Sequence, residues 1–181
     1  MFSQKEVFNV KGIQYIIRSA EEKDAKELAA VRLQIDGETE NLDRERGEGF
    51  IDEEGFKQRI QTDTEHPKNL FLVAEIDGRI VGFSRCEGTN LKRLSHKVEF
   101  GVCVLKDYWG LAIGKNLLEV SINWADSHDI RKMVLSVLET NEKAIKLYES
   151  YNFEVEGIVK KDKKLSDGKF YSTILMGRFK E

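Results

Sequence analysis

The segment Val98–Leu118 (Val-Glu-Phe-Gly-Val-Cys-Val-Leu-Lys-Asp-Tyr-Trp-Gly-Leu-Ala-Ile-Gly-Lys-Asn-Leu-Leu) narrows the choice of fold more than any other stretch of the chain. An apolar, strand-like run enters a turn with two glycines. The turn opens a helix whose apolar residues, Ile113, Leu117, Leu118, Ile122 and Ala125, recur at helical spacing. A strand that turns directly into a helix aims unpaired backbone N–H groups at one spot, a main-chain anion site. Two familiar phosphate loops do not fit it. A Walker loop has four residues between its glycines and then Lys-Ser/Thr, whereas three separate Gly110 from Gly114 and Asn116 follows Lys115. A dinucleotide fingerprint needs Gly-x-Gly-x-x-Gly, which Gly110 to Gly114 does not supply.

The rest of the chain arranges itself around this segment. Ile13–Arg18 reads as a strand, and Ser19-Ala-Glu-Glu22 has the form of a capping box before a helix to about Asp36. A second, short helix carries Phe56 and Ile60 and ends before His66-Pro67. Phe71–Ile76 and Ile80–Glu87 flank Asp77-Gly78, a strong hairpin signal, and Val98–Leu105 is the next strand. After the Gly110–Asp126 helix come a strand at Met133–Leu138 and a helix capped by Asn141. Two last strands, Phe153–Val159 and Phe170–Arg178, surround a turn at Asp167-Gly168. The order β-α-α-β-β-β-α-β-α-β-β requires one mixed, mostly antiparallel sheet with helices on its faces. That is an α+β (mixed α/β) fold over a single domain, residues 1–181.

Charge and cysteine usage remove several classes of function. With 29 basic and 32 acidic residues the net charge is −3, which is no footprint for a nucleic-acid backbone. No apolar run is long enough for a membrane helix, and the opening MFSQKEVFNV has the charged and apolar regions of no secretory leader, so a cytoplasmic location is expected. Cys86 and Cys103 sit in strand-like runs as small hydrophobes, and His66, His96 and His128 are scattered, so no metal is expected.

The glycine segment resembles motif A of the GNAT superfamily of acyl-CoA-dependent N-acyltransferases, Gln/Arg-x-x-Gly-x-Gly/Ala after a strand. In this register Trp109 stands for the usual Gln or Arg, and Ala112 for the first signature glycine. A positive φ at Ala112 would cost about 1 kcal/mol, with Gly110 upstream as a source of slack. Asn141-Glu-Lys-Ala-Ile-Lys-Leu-Tyr148, followed by Asn152-Phe153, is similar to the family's second signature. There Asn152 replaces a glycine, a mild change because Asn tolerates the left-handed conformation. The closing Asp167–Met176 segment resembles the terminal hairpin of the branch with ribosomal-protein and amino-acid acetyltransferases.

The resemblance implies an acetyl-CoA-dependent N-acetyltransferase acting by direct attack in a ternary complex. Its acceptor would be a primary amine: a small amine, an amino acid or a protein N-terminus. It implies that the N–H groups of Trp109, Gly110, Leu111, Ala112, Ile113, Gly114 and Lys115 cradle the CoA pyrophosphate. The pantetheine arm would pair with the strand edge at Val102, Cys103 and Val104, and Asn141 would both cap its helix and touch CoA. Many family members carry a base on the strand entering the loop, where alternation sets Glu99, Gly101 and Cys103 on one face. The alternative for Glu99 is a salt-bridged or edge-exposed glutamate, and Glu139 is a second candidate base. Tyr148 matches the family's general acid, with a packed aromatic as its alternative. Cys103 lacks an adjacent His and reads as packing, and Lys160–Lys164 as a solvated hairpin.

Glu38–Glu54 holds eight acidic residues against Arg44 and Arg46, a net −6 that would draw a cationic acceptor or simply be solvated. A reading of another class is a non-catalytic acyl-CoA-binding module, suggested by Trp109 and Ala112. Dimers are common among the proteins this chain resembles, which makes a homodimer compatible with the reading.

Overall fold

Short turns set the topology. In a computed structural model that describes residues 5–181, Asp77 and Gly78 have φ of 49° and 77°, the pair of positive values a tight hairpin demands. They join β3 (Leu70–Ile76) to β4 (Arg79–Glu87). A second such pair, Lys11 and Gly12 (φ 53° and 80°), joins β1 (Glu6–Val10) to β2 (Ile13–Ser19). β1 is a strand that the hydrophobic pattern did not signal, because only alternate residues of it reach the core and Val7 is exposed. Residues 1–4, at the start of the segment read above for a leader, lie outside the described residues.

The remaining elements are α1 (Ala25–Glu38), α2 (Glu53–Glu65), β5 (Lys97–Val104), α3 (Ile113–Ser127), β6 (Lys132–Leu138), α4 (Glu142–Ser150), β7 (Glu154–Lys164) and β8 (Phe170–Phe179). They build one eight-stranded sheet in the order β1-β2-β3-β4-β5-β6-β8-β7. Every pair is antiparallel except β5 and β6. The mixed, mostly antiparallel sheet with flanking helices is therefore the expected architecture, with β1 added.

Three local expectations need correction. The first turn, Glu22–Asp24, has Glu21 as its N-cap rather than Ser19, and the Asp24 carboxylate accepts the Glu21 N–H at 2.8 Å. α1 runs through Gly37 to Glu38, and α3 starts at Ile113 rather than Gly110. Lys160–Lys164 is, as expected, an exposed hairpin segment: it forms the end of β7, which bulges between Val159 and Lys163 and pairs with Tyr171 and Phe170 of β8. The bulge carries a φ of 54° at Lys161, a break that the lysine-rich composition conceals.

Strand alternation assigns the faces. Tyr15 and Ser84 point toward α3, where Tyr15 meets Asn116 and Ser84 meets Ser121. Phe71, Phe83 and Arg85 point to the opposite face, under α1 and α2; Phe56 of α2 packs on Phe71 and Asp63 of α2 binds Arg85. β3 lies in the middle, with Leu70 to Ala74 all buried. Through the register Phe83↔Cys103, Arg85↔Gly101 and Glu87↔Glu99, the face of β5 that carries Glu99, Gly101 and Cys103 looks toward α1 and α2.

One ion pair fastens the first turn of helix to the sheet. Arg18 forks onto Asp24 at 2.6 and 2.9 Å and also reaches Glu75. Burial raises the Asp24 carboxyl, but the Arg18 bonds and the Glu21 N–H more than reverse this, so its pKa lies below the ordinary value. A carboxyl depressed in the folded state adds stability above its unfolded pKa, about 3.9, and loses it as pH falls further. Arg18→Met should therefore destabilise the fold by about 3 kcal/mol at pH 7. Urea unfolding should show that difference shrinking below pH 4; a difference independent of pH would mean that Arg18 acts through packing alone.

Candidate functional site

The site begins where two strands part. β5 and β6 are in register only over Lys97↔Lys132, Val98↔Met133 and Glu99↔Val134; beyond Glu99 they pair no further. The N–H of Leu105 donates to Val81 of β4 at 2.9 Å, so alternation turns the N–H and C=O of Val102 and Val104 to the edge away from β4. That edge faces the gap that β6 has left. Cys103, one residue out of phase, presents its backbone to β4 and its side chain to the α1–α2 side, so its N–H is not on the free edge where the sequence reading put it.

Past Val104 the chain makes a turn at Lys106–Tyr108 and then the glycine loop. Gly110 (φ 83°) and Ala112 (φ 58°, ψ 15°) are both left-handed, and Ala112 is the N-cap of α3. Gly110 thus does not relieve Ala112: the loop needs both positive angles. The first backbone bond into α3 runs from the Asn116 N–H to the Ala112 carbonyl at 2.9 Å. Among the described residues, no backbone carbonyl takes the N–H groups of Gly110, Leu111, Ala112, Ile113, Gly114 or Lys115. A run of free donors at a helix start is the donor set a pyrophosphate requires. Trp109 departs from expectation. Its N–H donates to Lys106 and its indole Nε1 to the Val104 carbonyl at 2.9 Å, so this residue closes the strand end rather than adding a cradle donor.

Two residues far away in sequence brace this loop, and the sequence reading missed both. The Tyr15 hydroxyl donates to the Leu111 carbonyl at 3.1 Å and accepts from the buried Asn116 amide at 2.6 Å. At the outer side, the β1–β2 turn brings the Lys11 ammonium to 3.8 Å from where a Cβ on Gly110 would lie. The Lys11-Gly12 turn was the available signal for the second, but no local pattern ties Tyr15 to Asn116.

Tyr148 is buried against Phe153, with ring centroids 5.8 Å apart. Its hydroxyl binds none of the described residues, and no sealed side-chain polar atom among them lacks a partner, so the hydroxyl reaches open space. Burial, then the nearby Cys103, pushes its pKa up to about 12, keeping the phenol protonated at neutral pH. Glu99 is exposed on the β5 face, beside Gly101, over which an added Cβ would meet nothing within 4 Å. Glu139 is elsewhere: its carboxylate accepts the Ser172 N–H at 2.5 Å and clamps β8. Burial raises the Cys103 thiol to about 12, so it is no nucleophile at neutral pH. The Asn141 side chain caps α4 through the Ala144 N–H at 3.4 Å, and Asn152 is left-handed at φ 63°, both as expected.

Most of the acidic loop's charge is engaged in holding the loop. Glu38 accepts the Lys106 N–H and Glu40 the Ser166 N–H, each at 2.8 Å. Asp43 pairs with Lys163 of β7, Glu48 takes the Glu45 N–H, and Asp52 caps α2. The loop is a strap from α1 to the β7–β8 hairpin, a role that composition does not reveal.

Comparison with known proteins bears on this geometry. Residues 37–153 match the model of the Acetyltransferase (GNAT) family. The L-amino acid N-acetyltransferase AaaT of Escherichia coli K12 is 29% identical over 179 residues, covering 91% of this chain and 98% of that protein. An acetyltransferase of the GNAT family from Streptococcus pneumoniae superposes with a TM-score of 0.88 at 29% identity, over 92% of this chain and 99% of that one. YncA of Salmonella typhimurium, described as a putative acetyltransferase with its cofactor acetyl-CoA, shares the fold with a TM-score of 0.79 at 19% identity, over 91% and 93% of the two chains.

Left-handed backbone at an alanine costs about 1–2 kcal/mol, partly offset by its lower unfolded entropy. Ala112→Gly should stabilise the protein by about 0.5–1 kcal/mol, whereas Gly110→Ala should destabilise it by about 1 kcal/mol. Chemical denaturation of both variants measures this directly; equal and opposite signs to these would place the strain elsewhere in the loop.

Proposed function

The chain belongs to the Acetyltransferase (GNAT) family and is an acetyl-CoA-dependent N-acetyltransferase, and on that premise we propose which of its residues perform the transfer and what accepts the acetyl group. The observation that carries the reading is the parting of β5 from β6 beside a run of free N–H donors. Gly110 to Lys115 would hold the pyrophosphate through backbone N–H groups, with Lys11 adding a cation at Gly110. Val102 would supply the edge to which a pantetheine amide bonds, since the Val104 carbonyl is already held by the Trp109 indole. The free donors and the free edge fit the group in kind, and no side chain fills the space over Gly101.

Bound acetyl-CoA supplies a thioester, whose acetyl group passes to the amine and whose sulfur leaves as a thiolate. The protein's part is proton traffic and orientation. Glu99 takes a proton from the incoming ammonium, directly or through water, so that a neutral amine attacks. The Val104 N–H, on the free edge, hydrogen-bonds to the carbonyl oxygen as negative charge gathers there. The Tyr148 hydroxyl gives its proton to the sulfur. A phenol held near 12 is a proton donor over the whole neutral range.

The acceptor we infer is a small primary amine of the amino-acid kind. AaaT, which matches this chain along nearly its full length, is named for L-amino acids. The binding-module alternative lacks support of its own, since both of its motivating residues have structural roles: Trp109 closes the strand end and Ala112 adopts the left-handed angle the loop needs.

Two measurements test the assignment. Tyr148→Phe should lower kcat by about 10–10³-fold while acetyl-CoA still raises the melting temperature as it does for the wild type. An unchanged kcat would make Tyr148 a packing residue. Because the phenol stays protonated, wild-type kcat/KM should rise with pH as the amine loses its proton, with no falling limb below about pH 10.

A further inference from the structure

On one face of the sheet α1 lies over β4 and β5 and α2 over β3, with Asp63 of α2 reaching Arg85 of β4, and the charged groups there can be paired off one by one. Arg85 of β4 binds Asp63 of α2 at 2.6 and 2.9 Å and Glu87 at 3.3 Å. Arg32 of α1 donates to the Gly49 carbonyl at 2.8 Å and faces Asp36, and Arg44 binds the same Asp36 at 3.3 Å. Among the described residues, one half-buried cation of this face is left over. Arg59 of α2 is half-buried, and among the described residues it makes neither a hydrogen bond nor an ion pair.

Its position is set by its helix neighbours. Asp63 lies one turn on along α2, on the same face, and is the residue that holds Arg85. Arg85 in turn lies opposite Gly101, the glycine with empty space above it, and Glu87 opposite Glu99. Burial first, and then the charges of Arg85 and Arg32, disfavour the charged form of Arg59, with Glu87 and Asp63 acting the other way. A guanidinium does not give up its proton in a protein, so a partly desolvated one with no partner has five donors waiting for an anion.

We propose that Arg59 is the carboxylate anchor of the acceptor site, so that the acceptor is a free amino acid lying over Gly101 with its carboxylate on Arg59 and its amine toward Glu99. This rests on the amino-acid reading above and deepens it. The floor then carries opposite signs at its two ends, which suits a zwitterion better than the purely cationic acceptor that the acidic loop suggested. The forked geometry also explains why an arginine stands here: two parallel N–H donors match the two carboxylate oxygens. Arg59 binds and orients the acceptor and takes no part in proton transfer.

The test is steady-state kinetics of wild type, Arg59→Gln and Arg59→Lys on a panel of free L-amino acids and on the α-carboxamides of the same amino acids. For free amino acids, Arg59→Gln should raise KM by about 10–100-fold with little change in kcat, the loss expected for a charged hydrogen bond. KM for the carboxamides and for acetyl-CoA should stay within about twofold, and Arg59→Lys should recover part of the loss. If the acid and amide KM values shift together, or neither shifts, Arg59 is not the anchor. If the wild type acetylates carboxamides but no free amino acid, the carboxylate inference falls while the N-acetyltransferase reading stands. If acetyl-CoA binds and no amine of the panel is acetylated by the wild type, the acceptor reading falls and this inference with it.

Discussion

The divergence of β5 from β6 after Glu99 is the constraint on which the rest of this molecule depends. Parallel neighbours that stayed paired would satisfy the outer edge of β5 and leave no main-chain donors for a second molecule. Because β6 pairs only with Lys97–Glu99, the N–H and C=O of Val102 and the N–H of Val104 face open space, the Val104 carbonyl being taken by the Trp109 indole, and the loop that follows collects six more N–H groups that no backbone carbonyl of the described residues takes. Unsatisfied backbone is tolerated at such a place when it is in contact with water or ligand, not when it is sealed. On the reading proposed above the gap is a binding device built from main chain, which explains why the side chains along it can be as unremarkable as valine.

Holding that gap open needs braces, and they come from distant parts of the chain. Tyr15 on β2 ties the Leu111 carbonyl to the Asn116 amide, fixing the loop to the helix it introduces. Trp109 ties the loop back to the Val104 carbonyl. On the other side of the sheet, Glu38, Glu40 and Asp43 strap α1 to the Lys106 turn and the β7–β8 hairpin. The left-handed Ala112 stores strain that these contacts offset, as is common where a backbone has been shaped for a ligand.

How much of this can be read from residues alone divides along physical lines. Strand alternation and the Asp77-Gly78 turn make the element order legible, and the Asn141 cap and left-handed Asn152 follow from local preferences. The shared face of the candidate residues on β5 is legible too: Glu99, Gly101 and Cys103 lie together because a strand has period two. What is not legible depends on contacts between remote segments. β1 has too little buried surface to show a pattern, and the Tyr15–Asn116 bond spans 101 residues. The acidic loop looks like a steering surface by composition, yet its carboxylates are mostly taken by N–H groups and Lys163. Arg59 looks like any helix-surface arginine until its neighbours are paired off and, among the described residues of that face, it is the half-buried cation left without a partner.

The most direct test of the central claim is amide chemical shift and hydrogen-exchange protection by NMR as acetyl-CoA is titrated into the protein. The account predicts new protection at the amides of Gly110 through Lys115 and at Val102 and Val104, with the Cys103 amide, already turned to β4, unchanged. Binding that protects a different set of amides, or leaves the Val102 and Val104 amides exchanging as before, would contradict it.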